Sequence, residues 1–163
     1  MKDGSAPRRT EQDQLFFEDL EVGMRVSGRE RQLMQGDFQA FSALTGDAHP
    51  IHYDEAYASQ TSFGRCVAHG LLLTGLAALG ASPISGRLHA SMVAFVWQEM
   101  RFLKPVFIGD RVTPEHEVHS LHEMHGKPHG RVRFIVRLHE QARGIVAEGH
   151  HDYLLRTRVG AGA

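Results

Sequence analysis

Asp47 and His52 are the side chains of this sequence whose types and spacing could move a proton. They stand five positions apart in Leu44-Thr45-Gly46-Asp47-Ala48-His49-Pro50-Ile51-His52-Tyr53-Asp54, a segment broken by Gly46 and Pro50. Proline lacks an N–H and biases the residue before it toward extended conformations, so the two cannot share a helix face. A turning segment can instead aim both into one pocket. A carboxylate and an imidazole able to exchange a proton with water are what addition of water to an activated double bond requires. The same residues also allow a plainer reading, in which Asp47 ends a helix and His52 packs under a loop, because short motifs often match by chance.

The elements that must position this pair can be read on either side. Asp37 to Thr45 has apolar residues at Phe38, Phe41 and Leu44 and predicts a short helix, with a second near 54–61. His69 to about Ser82 reads as one helix that is apolar nearly all round, through Leu71, Leu72, Leu73, Leu76, Ala77, Ala78 and Leu79. A helix without a polar face is buried on most sides. A first strand is predicted over 24–34. Four more follow Pro83, near 90–104, 110–124, 130–141 and 144–157, separated by Gly109-Asp110, Gly126-Lys127-Pro128 and Arg143-Gly144. One strand, an apolar helix and four strands predict an α+β domain, an antiparallel five-stranded sheet wrapped around a central helix. The domain is expected over 15–158, with a disordered N-terminal tail over 1–14 and a flexible C-terminal tail over 159–163.

Composition narrows the function classes. With 163 residues, 42% of them hydrophobic and 23% charged, the chain has the size and content of one globular domain. Its formal net charge of −1 comes from 18 Lys+Arg and 19 Asp+Glu, scattered rather than clustered, so no nucleic-acid partner is expected. Cys66 is the single cysteine, which excludes an internal disulfide and fits a reducing compartment. A small buried hydrophobe is its expected role. Met1 to Gln14 lacks the apolar core of a signal peptide, and the run Leu71 to Ala81, interrupted by Thr74, Gly75 and Gly80, is too short to cross a bilayer. A cytoplasmic, membrane-free protein is expected.

Twelve histidines invite a metal reading. His116, His119, His122 and His125 recur every third residue, a ligand stripe on a helix, but the local sequence has strand character. On a strand that spacing alternates faces, so the four do not converge on one ion. His150 and His151 alternate likewise. Surface histidines and no metal are expected.

Three ordered motifs carry a resemblance. The Asp47/His52 segment is followed by Phe63-Gly64-Arg65-Cys66-Val67-Ala68-His69-Gly70-Leu71 and then by Phe102-Leu103-Lys104-Pro105-Val106-Phe107-Ile108-Gly109-Asp110. In these the chain resembles the MaoC-like (R)-specific enoyl-CoA hydratase/dehydratase family, from about Phe17 to the last predicted strand. The resemblance implies a single hot-dog fold that pairs as a homodimer or assembles into a higher oligomer. It implies reversible hydration of trans-2-enoyl-CoA to (R)-3-hydroxyacyl-CoA by Asp47 and His52, with an acyl-CoA as substrate and no cofactor. Together with the free N–H groups at a helix start, it also singles out the Gly70 N–H as donor to the thioester oxygen; the alternative is that Gly70 only lets helix pack on sheet. His69 supports the pair rather than reacting, and Thr74 bonds its own helix backbone. Two positions depart from the family pattern: His49 stands where Asn is usual, and Gly75 where a small hydroxyl residue is common. A hot-dog thioesterase and a non-catalytic acyl-CoA binding protein are the competing readings. Arg65, Arg101 and Lys104 are candidate partners for CoA phosphates, none of them singled out.

Overall fold

The computed structural model describes residues 14–159. Its elements are a 3₁₀ turn (Phe17–Asp19), β1 (Arg25–Ser27), β2 (Arg31–Gln32), α1 (Gln35–Thr45), a second 3₁₀ turn (Pro50–His52), α2 (Glu55–Ala58), α3 (Gly70–Leu76), two further 3₁₀ turns, and the long strands β3 (Met92–Phe102), β4 (Arg111–His122), β5 (His129–Glu140) and β6 (Gly144–Arg156). The strands form one antiparallel sheet in the order β1-β4-β5-β6-β3, with β2 also paired to β4. Alternation builds its inner face: Val112, Pro114, His116 and Val118 of β4 and Val132, Phe134, Val136 and Leu138 of β5 are buried, while the residues between them are not. The predicted tails lie outside the described residues except at their inner ends. Gln14 is tied to the domain through Gly86 and Ala90, and Val159 is exposed.

The sheet has six strands rather than five, because the single first strand expected over 24–34 is split. Pro114 of β4 has no N–H to give to the ladder, and only its carbonyl is used, accepting from the Gly28 N–H at 2.7 Å. A Cβ at Gly28 would lie 2.5 Å from the Pro114 ring, so the chain crosses here only as glycine. Pairing resumes at Arg31 opposite Val112.

The central helix is also shorter than predicted, with the expected 69–82 run ending at Leu76. Two side chains from the sheet take over its backbone groups. His116 hydrogen-bonds the Ala77 carbonyl through Nε2 at 2.9 Å, and the Leu79 N–H donates to the Tyr153 hydroxyl at 3.2 Å. The chain then continues in 3₁₀ turns at Leu79–Ala81 and Pro83–Arg87. Nor is α3 buried all round. Leu73 and, just past the helix, Ala77 face the core, whereas Leu71 is 66% exposed and Gly75 is also on the surface. Leu73 packs in a cluster with Leu33, Phe38, Ala68, Val106, Val112, Leu138 and Val146, which fixes the N-terminal end of α3 against the α1 segment.

Candidate active site

The Asp47/His52 segment is held turn by turn. Helix α1 stops at Gly46, whose φ of 78° is the left-handed conformation that glycine accepts, with its N–H on the Ser42 carbonyl at 2.8 Å. Thr45 donates its hydroxyl to Phe41 and accepts from the Asp47 N–H at 3.2 Å, setting the exit angle of the chain. Pro50 then opens the 3₁₀ turn with its φ pre-set and no N–H to satisfy. His49 precedes it as the cap, its Nδ1 accepting from the Ile51 N–H at 3.3 Å. An asparagine oxygen would perform the same task, so His49 replaces the family's usual residue without loss of the cap.

His52 leaves the turn with Nδ1 against the Val67 carbonyl at 2.6 Å. A carbonyl only accepts, so Nδ1 carries the proton and Nε2 keeps a free lone pair. Val67 is itself anchored, its N–H on Ile51 at 3.2 Å. The ring of His69 lies on that of His52, centroids 3.8 Å apart and planes 24° from parallel. One nitrogen or carboxylate oxygen from each of Asp47, His52 and His69 falls within 4.8 Å of the others. Asp47 is exposed, His52 partly buried and His69 only 2% exposed. The two sequence-predicted reacting groups are therefore brought together, with His69 as the wall behind them.

The environment of His69 holds it neutral. Burial lowers its pKa, followed by repulsion from His52; the nearby Asp47 works the other way with less effect. The cluster has a composition that metals use, but its geometry does not suit one. Imidazole lone pairs lie in the ring planes, and two nearly parallel rings 3.8 Å apart cannot both aim at an ion ~2.0–2.1 Å away. Proton exchange fits the arrangement better.

Gly70 begins α3, where the first N–H groups have no partner within the helix. It lines a cavity of about 310 Å³ together with Phe63, Val67, Leu73, Phe102 and Lys104. A Cβ at Gly70 would lie 2.7 Å from the Phe102 ring, so its packing against the sheet is real as well. The Thr74 hydroxyl donates back to the Gly70 carbonyl at 3.2 Å, as expected, and Gly75 is exposed with open space around it. The three candidate cations do not converge: the Arg65 guanidinium lies 3.9 Å over the Phe107 ring, Arg101 pairs with Glu148 at 2.6 Å, and Lys104 bonds the Arg143 carbonyl. Cys66 is buried, and burial followed by Glu55 pushes its thiol up to about 11, which leaves it inert as a nucleophile.

The expectation of surface histidines needs correction at two positions. His116 and His151 are 0% and 1% exposed, on the inner face of the sheet. His119 and His122 are exposed, and His150 bonds Glu99 at 2.8 Å. A register shift between Val118 and Ser120 breaks the alternation that would otherwise place His122 with His116. Sequence reasoning also missed Tyr53. Its hydroxyl lies 3.1 Å from the Phe38 carbonyl, 3.0 Å from the Asp47 carbonyl and 2.6 Å from His69 Nε2. Its place directly after His52 was the available signal.

An antiparallel sheet packed on a short helix, with Asp47 and His52 near that helix's N-terminal end, is a single hot-dog unit. A double hot-dog protein from Mycobacterium tuberculosis matches 90% of this chain with 45% of its own, at a TM-score of 0.75 and 19% identity, so about half of it corresponds to this fold. The monoamine oxidase regulatory protein from Archaeoglobus fulgidus matches at a TM-score of 0.82 and 30% identity, covering 88% of this chain and 95% of its own. The model of the MaoC-like domain matches residues 18–138, and the chain belongs to that family. A 3-hydroxybutyryl-CoA dehydratase from Methylorubrum extorquens is 39% identical over 107 residues, 66% of this chain and 66% of its own length. An (R)-specific enoyl-CoA hydratase from Aeromonas caviae is 38% identical over 104 residues, 64% of this chain and 75% of its own length. The described residues contain no helix long and apolar enough to cross a membrane.

Proposed function

We propose that this MaoC-like hydratase/dehydratase adds water reversibly across trans-2-enoyl-CoA thioesters to give (R)-3-hydroxyacyl-CoA, with Asp47 and His52 as its acid/base pair. The observation that carries the reading is His52 itself. Val67 holds its Nδ1 proton, Nε2 is free, and a carboxylate stands within 4.8 Å. Water attacks Cβ as one of the pair takes its proton, while a proton is delivered to Cα by the other. The displaced electron pair moves onto the thioester oxygen. The Gly70 N–H, beside the cavity, is the donor for that oxygen; such donors are worth ~2.7–4 kcal/mol in comparable sites. The names of the relatives support the CoA thioester and the (R) product. The thioester supplies the activation, so the reaction calls for no cofactor or metal. The lone, inert Cys66 suits a cytoplasmic setting.

A homodimer belongs to the same reading. The edge strand β3 is 11 residues long and exposes Phe95 at 51%, with Val93, Val96, Trp97 and Phe102 also open. A long apolar edge left unpaired is adhesive, and a second copy pairing along β3 would cover it. Light scattering should give a dimer; a stable folded monomer at micromolar concentration would count against it.

The activity test follows the conjugated thioester absorbance over a panel of enoyl-CoAs, with free thiol measured in parallel. Loss of absorbance without thiol is the expected result. Thiol release with the enoyl group intact would replace hydration by thioester hydrolysis.

A further inference from the structure

We propose that Tyr53 is a positioning residue of this site, acting by fixing His69 in the Nε2–H form so that the two stacked imidazoles carry opposite tautomers. The inference rests on Asp47 and His52 being the reacting pair. It adds a residue and a proton arrangement that neither the motifs nor the relatives assign.

The argument is a count of protons. The Tyr53 hydroxyl has three polar neighbours: the carbonyls of Phe38 and Asp47 and Nε2 of His69, the last at 2.6 Å. It owns one proton. Both carbonyls can only accept, and a hydroxyl that gave its proton to Nε2 would face two carbonyl oxygens at 3.1 and 3.0 Å with no proton between them; the proton therefore goes to the carbonyls and the hydroxyl oxygen accepts from the ring. His69 must therefore donate through Nε2. Its Nδ1 then keeps a lone pair, and that atom is buried without a hydrogen-bonding partner. On His52 the assignment is reversed, because Nδ1 faces the Val67 carbonyl at 2.6 Å.

Three consequences follow for the reaction. Through one hydroxyl, Tyr53 ties the Phe38 carbonyl of α1, the Asp47 main chain and the wall behind His52 into a single unit. It also prevents His69 from rotating or exchanging tautomers beneath its neighbour, whose face it covers at 3.8 Å. Finally, a neutral ring under His52 leaves His52 free to become positive when it accepts a proton. A protonated His69 would oppose that charge at stacking distance. A phenylalanine at this position would fill the same space and supply none of these bonds.

The test begins with the unsubstituted protein. Nitrogen-15 chemical shifts of the histidine rings distinguish Nδ1–H from Nε2–H directly and do not depend on turnover. His52 should read Nδ1–H and His69 Nε2–H; His69 found as Nδ1–H would overturn the proposal whatever the enzyme does. Tyr53→Phe should then lower kcat roughly ten- to a hundredfold, the range expected when a reacting group shifts by about an ångström, with KM changed less than about twofold. Its His69 signal should show mixed tautomers. A folded Tyr53→Phe protein with normal kcat, or with His69 still wholly Nε2–H, would also overturn it. If the unsubstituted protein hydrates no enoyl-CoA, the proposed activity fails, while the tautomer measurement still decides the role of Tyr53.

Discussion

Two pairs of histidines sit at opposite ends of α3, and they have opposite characters. At the N-terminal end His52 and His69 stack at 3.8 Å, each has one ring nitrogen satisfied, and Asp47 stands beside them at the surface. At the C-terminal end His116 and His151 lie 6.5 Å apart beneath the helix, closed off from solvent. Only Nε2 of His116 has a partner there, the Ala77 carbonyl, and both nitrogens of His151 have none. The carboxylate next in sequence, Asp152, is turned to the other face of the sheet, where Arg133 holds it at 2.7 and 2.9 Å. Burial alone therefore does not make a histidine useful. An assigned tautomer, a neighbouring charge and a path to solvent separate the pair at the proposed site from the structural one.

The sharpest way to break the comparison is to remove the proposed acid/base pair, Asp47 and His52. Proton transfer by positioned side chains contributes ~10²–10⁴-fold, so Asp47→Asn and His52→Ala should each reduce hydration of the best enoyl-CoA by at least about a hundredfold. The double substitution should be little worse than the poorer single one, since in the proposed mechanism the two act on one water. Thioester binding measured by calorimetry should survive in all three. Near-normal turnover in either folded single variant would remove the distinction between the two ends of α3.

Gly70 tests whether the open N-terminal end serves the ligand or only the packing. Gly70→Ala places a Cβ 2.7 Å from Phe102, an overpacking that typically costs ~1–3 kcal/mol. Adding Phe102→Leu makes room and should recover the melting temperature. Activity should nevertheless stay at least roughly tenfold below that of Phe102→Leu alone, because a methyl group displaces the thioester from its donor. Activity that returns together with stability would assign Gly70 to packing.

The C-terminal pair should show itself in stability rather than rate. Burial pushes His151 down to about 4, with repulsion from His116 adding to it, and burial lowers His116 in the same direction. A histidine depressed in the folded state has no effect on stability above its unfolded value of ~6.5, where both states are neutral. As pH falls from there toward about 4 the unfolded chain binds the extra proton and the fold loses stability, by on the order of 3 kcal/mol for His151. His151→Leu should flatten the dependence of melting temperature on pH between about 6.5 and 4 and leave hydration near neutral pH unchanged. An unaltered slope would show that His151 is not the group being titrated.

How much of this was legible in the sequence follows from how local each signal was. The four long strands and the turns at Gly109, Gly126 and Gly144 are written in alternation and in glycines, all three with positive φ. The Asp47/His52 segment could be read because Gly46 and Pro50 punctuate it. What could not be read depends on distant partners. Pro114 splits a strand some eighty positions before it, and His116 and Tyr153 end a helix whose own residues favour continuing. The burial of His116 depends on the local register and the helix packed above it, which its spacing from His119 does not reveal. Tyr53 looked like an ordinary residue after a motif histidine, and only folding brings its hydroxyl to Phe38, Asp47 and His69.

His49 gives the smallest expected effect and the finest distinction, since it is a third imidazole at the reactive end with a different task. Its Nδ1 caps the 3₁₀ turn by accepting from the Ile51 N–H, and an imidazole accepts only while it is neutral. Once protonated it has donors alone, so the cap is lost in the turn that carries His52. The new charge also lies across a ring-to-ring distance of 6.4 Å from His52, where it opposes a second positive charge. Asparagine avoids both effects, because its amide oxygen accepts at every pH. His49→Asn should therefore keep or raise activity near neutrality and flatten the acidic limb of the kcat/KM profile. A cap is worth ~1 kcal/mol, so the difference at the acid end should be about severalfold rather than hundredfold. Profiles of the two proteins that superimpose would show that neither the cap nor the charge of His49 reaches the reaction.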